Sequence, residues 1–262
     1  MNYLVGDIGN TLTKFSLLNK KNKILISYNV LTLSLNNKKY LKKFTNKIIR
    51  YKPNKKILIS SVVPTIFKKI KINFKRNKYN CIEIKSLNIN KLIKFKVDNY
   101  KKVGSDRIAN AIGSYYNYKK NCLVIDFGTA TTFDIIKKPG IYLGGVIAPG
   151  INLSINNLNK HTALLPRIYL KSKSKPYGKN TNDAINSGFI WGYQGLINNI
   201  LKKIKTSTKT NYKIILTGGH AKLFKNYINN KTVIDNNVTI KGMIKVYKEL
   251  LSWVKKNLFF AL

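Results

Sequence analysis

Three short segments rich in Gly, Ser and Thr each carry one of the chain's few acidic residues. Of 262 residues only 9 are Asp or Glu, so each acid can be considered individually. The three are Asp7, Asp106 and Asp126. A carboxylate beside backbone that glycine leaves open can hold a cation, accept a proton or help to bind phosphate. These segments are therefore the candidate sites of chemistry.

The Asp7 segment joins two β-prone runs. An apolar run ending at Ile8 indicates a buried strand, and Gly9-Asn10 indicates a tight turn. Thr11 to Leu18 then alternates like a second strand. The pattern predicts a β-hairpin with Asp7 at the end of its first strand. Taken alone, this hairpin fits either an ordinary turn capped by the acid or a functional site.

The Asp126 segment repeats the first one. Each has an apolar run, an Asp, an apolar residue, a Gly and then a second β-prone run, and the two acids lie nearly half the chain apart. Two related halves, predicted as residues 1–117 and 118–262, explain this spacing. Paired hairpins across a cleft suit a phosphate site, because glycine exposes backbone N–H groups and threonine hydroxyls add donors. The two carboxylates can hold a cation that neutralises the phosphates.

The third segment lies at the start of a helical pattern. Apolar residues from Ile108 to Tyr115 recur at helical spacing, which predicts Ser105 as the N-cap and Asp106 in the first turn. Favourable capping explains this pair without any chemistry. Equally, Asp106 could abstract a hydroxyl proton while Arg107 and the helix N-terminus hold an anion. The residues themselves leave both interpretations open.

The charge of the chain is strongly positive. It has 49 Lys or Arg residues and a net charge of +40, which suggests a nucleic-acid partner through counterion release. However, lysine is spread along the whole chain, and Lys, Asn and Ile, all abundant here, share A- and T-rich codons. Arginine, the better reader of bases, is scarce. The composition therefore favours a base-composition bias over a specific nucleic-acid partner.

Several other classes of protein are excluded or disfavoured. A hydrophobic content of 44% argues against general disorder. There is no tract of 20 apolar residues, so no conventional transmembrane helix is expected, and the N-terminus lacks the features of a signal peptide. Cys81 and Cys122 form no metal or redox motif. These features predict a cytoplasmic protein with no membrane partner. Helical spacing from Met243 onwards predicts a packing helix up to Leu262.

In their order, the motifs resemble type III pantothenate kinase. The matching positions extend from residue 5 to about residue 220 and comprise Asp7-x-Gly9-Asn10-Thr11, Gly104-x-Asp106-Arg107, Asp126-x-Gly128-Thr129-Ala130-x-Thr132, Gly144-Gly145, Pro149-Gly150, Thr162-Ala163-x-Leu165-Pro166, Asn180-Thr181, Ser187-Gly188 and Thr217-Gly218-Gly219.

The resemblance implies the α/β, actin-like fold of acetate and sugar kinases, Hsp70 and actin, with two ribonuclease-H-like halves and a cleft between them. It implies a transferase that uses ATP to phosphorylate the terminal hydroxyl of pantothenate, giving 4'-phosphopantothenate in the first step of coenzyme A synthesis. It also implies a homodimer that requires Mg²⁺ and a monovalent cation, K⁺ or NH₄⁺.

The resemblance also assigns roles to individual residues. It implies Asp106 as the general base, Asp126 as the ligand of the monovalent cation, and Thr181 as a pantothenate contact across the homodimer interface. The residues that it implies for ATP, with Mg²⁺ nearby, are Asp7, Ile8, Gly9, Asn10, Thr11, Leu12, Thr13, Lys14 and Thr129. Those implied for pantothenate are Gly104, Ser105, Asp106, Arg107 and Thr181.

Two positions depart from the family's usual pattern. Tyr100 stands where a proline is usual, and Val97 replaces a tyrosine of the substrate pocket, so the substrate contacts can differ in detail. Two alternative functions remain on the same fold. One is a nucleic-acid-binding accessory protein of transcription, and the other is a kinase for a different small hydroxy acid.

Overall fold

The computed structural model describes residues 2–252. They divide into two compact units. The first contains the described chain up to Lys119, Pro139–Tyr142 and the described residues from Asn237; the second contains Lys120–Lys138 and Leu143–Asn236. The sequence placed residue 237 and its successors in the second half. Instead they return to the first unit, because a helix in this segment packs there against another helix.

The strands and helices of the described residues have the following bounds. The strands are β1 (Tyr3–Ile8), β2 (Leu12–Leu18), β3 (Ile24–Leu31), β4 (Lys56–Ser61), β5 (Asn80–Glu83), β6 (Lys94–Phe95), β7 (Cys122–Phe127), β8 (Ala130–Lys137), β9 (Ile141–Pro149), β10 (Lys213–Gly218) and β11 (Thr232–Ile234). The helices are α1 (Lys38–Ile49), α2 (Pro64–Arg76), α3 (Ser105–Tyr118), α4 (Ile151–Lys160), α5 (Thr181–Thr208), α6 (Ala221–Phe224) and α7 (Val238–Val246).

The two sheets share one strand pattern. In the first unit the order is β3-β2-β1-β4-β5, where β1 is antiparallel to β2 and parallel to β4. In the second sheet the series β9-β8-β7-β10-β11 follows the same plan, with β7 antiparallel to β8 and parallel to β10. This correspondence confirms the two related halves that the repeated Asp-x-Gly motif predicts. The short strand β6 pairs with Ile141 and Tyr142 at the start of β9.

Each unit has its own apolar core. The central strands β1 and β7 are buried on both faces, which explains their nearly continuous apolar sequences. In the first unit Phe15 packs near Phe44 and Phe74, which come from α1 and α2. In the second unit the apolar side of α5 joins the core that covers β7 and β10. Each sheet is therefore held in a packed core, which positions the turns at its strand ends.

Helices α3 and α7 pack closely in the first unit. A Cβ added at Gly113 of α3 would lie 2.0 Å from the Val238 oxygen, and one added at Gly242 of α7 would lie 1.9 Å from the Ala109 oxygen. Only glycine at both positions allows the two backbones this approach. The helix predicted from Met243 to Leu262 begins earlier, at Val238, and continues as a π-helical turn over Tyr247–Ser252. Residues 253–262 lie outside the described residues.

Both cysteines are buried, and neither forms a disulfide. Burial raises the pKa of the Cys81 thiol to about 12 and that of Cys122 to about 11. Both thiols therefore stay protonated near neutral pH, as expected for core residues. Among residues 2–252, no helix combines the length and the apolar character needed to cross a membrane.

Candidate active site

The first candidate element is the β1–β2 hairpin. Its register places Asp7 opposite Lys14, and the Gly9 N–H donates to the Leu12 carbonyl over 3.0 Å to close the turn. The Lys14 amino group donates to Asn237 Oδ1 over 3.2 Å. Burial lowers the pKa of Lys14, and the Asp7 carboxylate opposes this shift. The hairpin thus holds a carboxylate and an ammonium group side by side at the end of a buried strand.

Thr32 holds the turn of this hairpin in place through two hydrogen bonds. The Thr32 hydroxyl donates to the Gly9 carbonyl over 2.7 Å, and its backbone N–H donates to the Thr11 carbonyl over 2.9 Å. The hydroxyls of Thr13 and Thr32 lie 3.0 Å apart, and both residues are buried. By contrast, Asn10, Thr11 and Leu12 are exposed. A fixed turn with exposed polar groups can receive phosphate oxygens without reorganisation.

The second candidate element is the N-terminus of α3. The predicted N-cap is wrong: Gly104 is the N-cap, and Ser105 is the first helical residue. The reason is that the Ser105 hydroxyl donates to Glu83 Oε1 over 2.5 Å instead of capping the helix. Asp106 does lie in the first turn, as predicted. Its Oδ1 accepts the Arg107 N–H over 2.8 Å.

The environment of Asp106 shifts its protonation. Burial raises the pKa of the Asp106 carboxyl, while the Arg107 N–H, the Arg107 charge and the Lys85 charge oppose this shift. A raised pKa makes a carboxylate a stronger base, provided that it is deprotonated at the working pH. The position and the pKa of Asp106 thus suit a group that accepts a proton.

The third candidate element is the β7–β8 hairpin. Asp126 lies opposite Thr132, so the position that Lys14 holds in the first hairpin is neutral here. The Gly128 N–H donates to the Ala130 carbonyl over 3.1 Å, which makes this turn one residue shorter than the first. Gly128 and Thr129 are exposed.

Two glycines of the second unit contact this hairpin. Gly218 ends β10 with a φ of +86°, and a Cβ there would lie 2.7 Å from Asp126 Oδ1. A Cβ at Gly150 would lie 2.0 Å from the Thr129 oxygen. The Asp126 carboxylate and the Thr129 carbonyl therefore lie against backbone positions where only glycine leaves enough room. Oxygen ligands of this kind suit a hard cation.

Thr181 lies elsewhere in the second unit, as the first residue of α5. Asn180 caps the helix, since its Oδ1 accepts the Asp183 N–H over 2.9 Å. Lys175 lies 3.7 Å from Asp183. Thr181 is exposed. Asn180 thus ends the loop that precedes α5.

Sequence reasoning missed Glu83 and Lys85. Glu83 is one of the nine acids but lies outside the glycine-rich segments, and Lys85 is one lysine among many. Their proximity to Asp106 depends on the end of β5 meeting the start of α3, which no local pattern shows. Tyr100 departs from the family's usual pattern, and its ring stacks on the ring of Phe95 with centroids 5.3 Å apart. This contact fixes the segment where a proline is usual.

Two solved structures share this architecture. An inorganic polyphosphate/ATP-glucomannokinase from Arthrobacter sp. strain KM aligns with a TM-score of 0.51 and 13% identity over 95% of this chain and 99% of that chain. A Campylobacter jejuni protein described as a Baf family transcriptional activator aligns with a TM-score of 0.60 and 24% identity over 94% of this chain and 98% of that chain. These likenesses show the fold alone. The fold is the actin-like α/β fold of ATPases and sugar kinases, as predicted.

The sequence comparisons narrow this class to one family. The family model of type III pantothenate kinase matches residues 3–203. A type III pantothenate kinase from Pelagibacter ubique (strain HTCC1062) is 49% identical over 243 residues, which cover 92% of this chain and 97% of the relative. The chain belongs to the type III pantothenate kinase family, and it is a kinase.

Proposed function

We propose that this chain transfers a phosphoryl group from ATP to the terminal hydroxyl of pantothenate, the first step of coenzyme A synthesis. The observation that carries the proposal is the Asp106-Arg107 pair at the N-terminus of α3, in a chain of this family. Phosphoryl transfer needs positioning, charge neutralisation and a carboxylate near the attacking hydroxyl. The pair supplies a base and a cation next to each other.

In the proposed mechanism Asp106 accepts the proton of the attacking hydroxyl. Its Oδ1 is oriented by the Arg107 N–H, which keeps the carboxylate in one rotamer. The Arg107 guanidinium binds the pantothenate carboxylate, where a bidentate pair fixes orientation as well as energy. The Gly104–Arg107 segment and Thr181 complete the pantothenate contacts, Thr181 from the second protomer of a homodimer.

The two hairpins are proposed to bind ATP. In the first, the exposed turn and Lys14 receive the phosphates, with Asp7 next to them; in the second, Thr129 contacts the nucleotide. Lys14 is suited to this role because its ammonium group is already partly desolvated, which strengthens its attraction to an anion.

The residues present fit the proposed cations. No group of three or more His, Cys, Asp or Glu side chains that could hold a metal occurs among residues 2–252. Asp7 fits Mg²⁺, which at phosphoryl-transfer sites binds through one or two carboxylates and the substrate phosphates. Asp126 fits K⁺ or NH₄⁺, because it lies next to the exposed Gly128–Thr129 turn and Thr132 opposite it carries no charge. When bound, these ions neutralise developing phosphate charge.

Replacing Asp126 with asparagine is expected to abolish the stimulation of activity by K⁺, because the amide keeps the shape of the side chain but not its charge. Activity is measured in KCl and in choline chloride of equal ionic strength. The wild-type rate should be higher in KCl, and the variant should respond equally to both salts. A variant that keeps full K⁺ stimulation would place the cation elsewhere.

The proposal also includes a cytoplasmic location and a homodimer. The homodimer follows from the assignment of Thr181 to the pantothenate site of the partner protomer. Sedimentation equilibrium at assay concentrations is expected to give twice the mass of the chain, 29.9 kDa. A fully active monomer would remove this part of the proposal.

A substrate panel tests the proposed acceptor. Purified protein with ATP, Mg²⁺ and K⁺ is given pantothenate, pantoate, glycerate and other small hydroxy acids, and phosphorylated products are identified by mass. Pantothenate is expected to give the highest kcat/KM. A higher value for another acid would contradict the assignment and favour a kinase of different specificity. DNA binding that is sequence-selective and persists at moderate salt would support the transcriptional alternative instead.

A further inference from the structure

Glu83 accepts one hydrogen bond from the start of α3 and one from the turn that follows β5. It ends β5, and its Oε1 accepts the Ser105 hydroxyl over 2.5 Å while its Oε2 accepts the Lys85 N–H over 2.6 Å. Ser105 is fully buried. One carboxylate therefore ties the first residue of α3 to the end of the sheet. Hydrogen bonds to a charged acceptor are stronger than neutral ones, so this connection is stiff.

Lys85 holds the segment on the other side of the turn. Its amino group donates to the carbonyls of Lys101 over 3.0 Å and Val103 over 3.2 Å. These carbonyls lie within the three residues before Gly104, the N-cap of α3. The backbone just before the Gly104–Arg107 segment and the Ser105 side chain within it are thus attached to residues 83–85.

The charges around Asp106 come from the same two elements. Arg107 faces it from α3 and Lys85 from the turn after β5, and both favour its ionised form against the effect of burial on its pKa. The Glu83 carboxylate lies near this group as well, because it accepts the hydroxyl of Ser105, the residue next to Asp106. Removing the Lys85 charge should therefore raise the pKa of Asp106.

We propose that Glu83 and Lys85 are positioning residues for the reaction, which hold Asp106 and Arg107 at the distance and angle that the transfer requires. The inference rests on the proposed function, since it takes Asp106 as the base. Misplacing a reacting group by about 1 Å can cost about a hundredfold in rate. Neither residue needs to touch the substrate for this effect.

Variants of Glu83 test the connection to Ser105. In Glu83→Ala, kcat is expected to fall by about tenfold to a hundredfold, with the KM for ATP unchanged. Glu83→Gln should restore most of the activity, because its amide can accept from the Lys85 N–H and donate to the Ser105 hydroxyl. The matched control is Glu249→Ala, since Glu249 is exposed and forms an ion pair with Lys245 within its own helix. This control should behave like the wild type.

Variants of Lys85 test the charge. In Lys85→Met, the acidic limb of the pH profile of kcat/KM is expected to move to higher pH, because the base loses a neighbouring cation. A merely structural role would lower the rate without moving this limb. Lys69→Met is the control, since Lys69 is exposed and bonds to Asn36. Its profile should not move.

Amide hydrogen exchange separates this inference from the proposed function. Exchange at residues 104–107 should be faster in Glu83→Ala and Lys85→Met than in either control, whatever the protein phosphorylates. An inactive wild-type protein would overturn the proposed function. The exchange rates at residues 104–107 would then still decide whether Glu83 and Lys85 hold this segment in place. Unchanged exchange, or an active wild type with unchanged kcat in Glu83→Ala, would overturn the inference. Should Glu83→Ala fail to fold, an unmoved pH profile in Lys85→Met would overturn it equally.

Discussion

Replacing Asp106 with asparagine is expected to lower kcat by about 100-fold to 10,000-fold, the range typical of a lost general base. The amide has the shape of the carboxylate and can still accept the Arg107 N–H, so the turn stays in place. The KM for ATP should therefore not change. Steady-state kinetics with ATP and pantothenate, at saturating concentrations of each in turn, measure both constants.

The same variant has a second expected effect, on stability. Burial raises the folded-state pKa of Asp106, so ionisation costs stability above that pKa, and the cost is absent below the unfolded pKa. Asp106→Asn should melt at the same temperature as the wild type or higher at pH 8, and the difference should shrink as the pH falls through the folded pKa. Loss of activity with lower stability would instead indicate a structural role.

Asp98→Asn is the matched control for Asp106→Asn. Asp98 lies eight positions earlier and is exposed, so the substitution should leave kcat and the melting temperature unchanged. A similar loss of activity in both variants would contradict the special role of Asp106.

Replacing Gly242 with alanine is expected to destabilise the protein by about 3 kcal/mol or more, a large effect for one methyl group. The added Cβ would lie 1.9 Å from the Ala109 oxygen and 3.0 Å from the Gly113 nitrogen. Both atoms belong to the backbone, so the helices α3 and α7 must separate. Because α3 carries Asp106 at its start, activity should fall as well. Urea unfolding measures the change in free energy.

Gly192→Ala is the matched control for Gly242→Ala. Gly192 also lies in a helix, but it is exposed, and apart from its chain neighbours and the backbone of its own helix no described atom lies within 4 Å of an added Cβ. Its substitution should raise stability by up to about 1 kcal/mol through helix propensity. If Gly242→Ala were equally neutral, the close packing of α3 on α7 would be refuted.

The elements that the sequence predicted best are those set by local patterns. Both Asp-x-Gly hairpins form at the expected residues, since a buried apolar strand followed by a glycine turn determines a hairpin without distant contacts. The repeat of the motif also predicted two related halves, and the two sheets have a matching strand order. Asp106 lies in the first turn of a helix, where its neighbours' spacing put it.

The features that the sequence did not predict depend on distant residues. Ser105 looked like an N-cap because nothing local shows that its hydroxyl reaches Glu83, 22 positions earlier. Gly113 and Gly242 each make room for the other helix, which no local pattern around either residue shows. The return of α7 to the first unit follows from that packing, and a period of 3.6 residues cannot indicate which surface a helix will cover.

The most direct test of the central claim is the formation of 4'-phosphopantothenate from ATP, pantothenate and Mg²⁺, followed by mass and by ADP release, with and without K⁺. We predict that the wild-type protein forms this product, faster with K⁺, and that Asp106→Asn forms it at a small fraction of the wild-type rate. No product from the folded wild-type protein, or equal rates in the two proteins, would contradict the account.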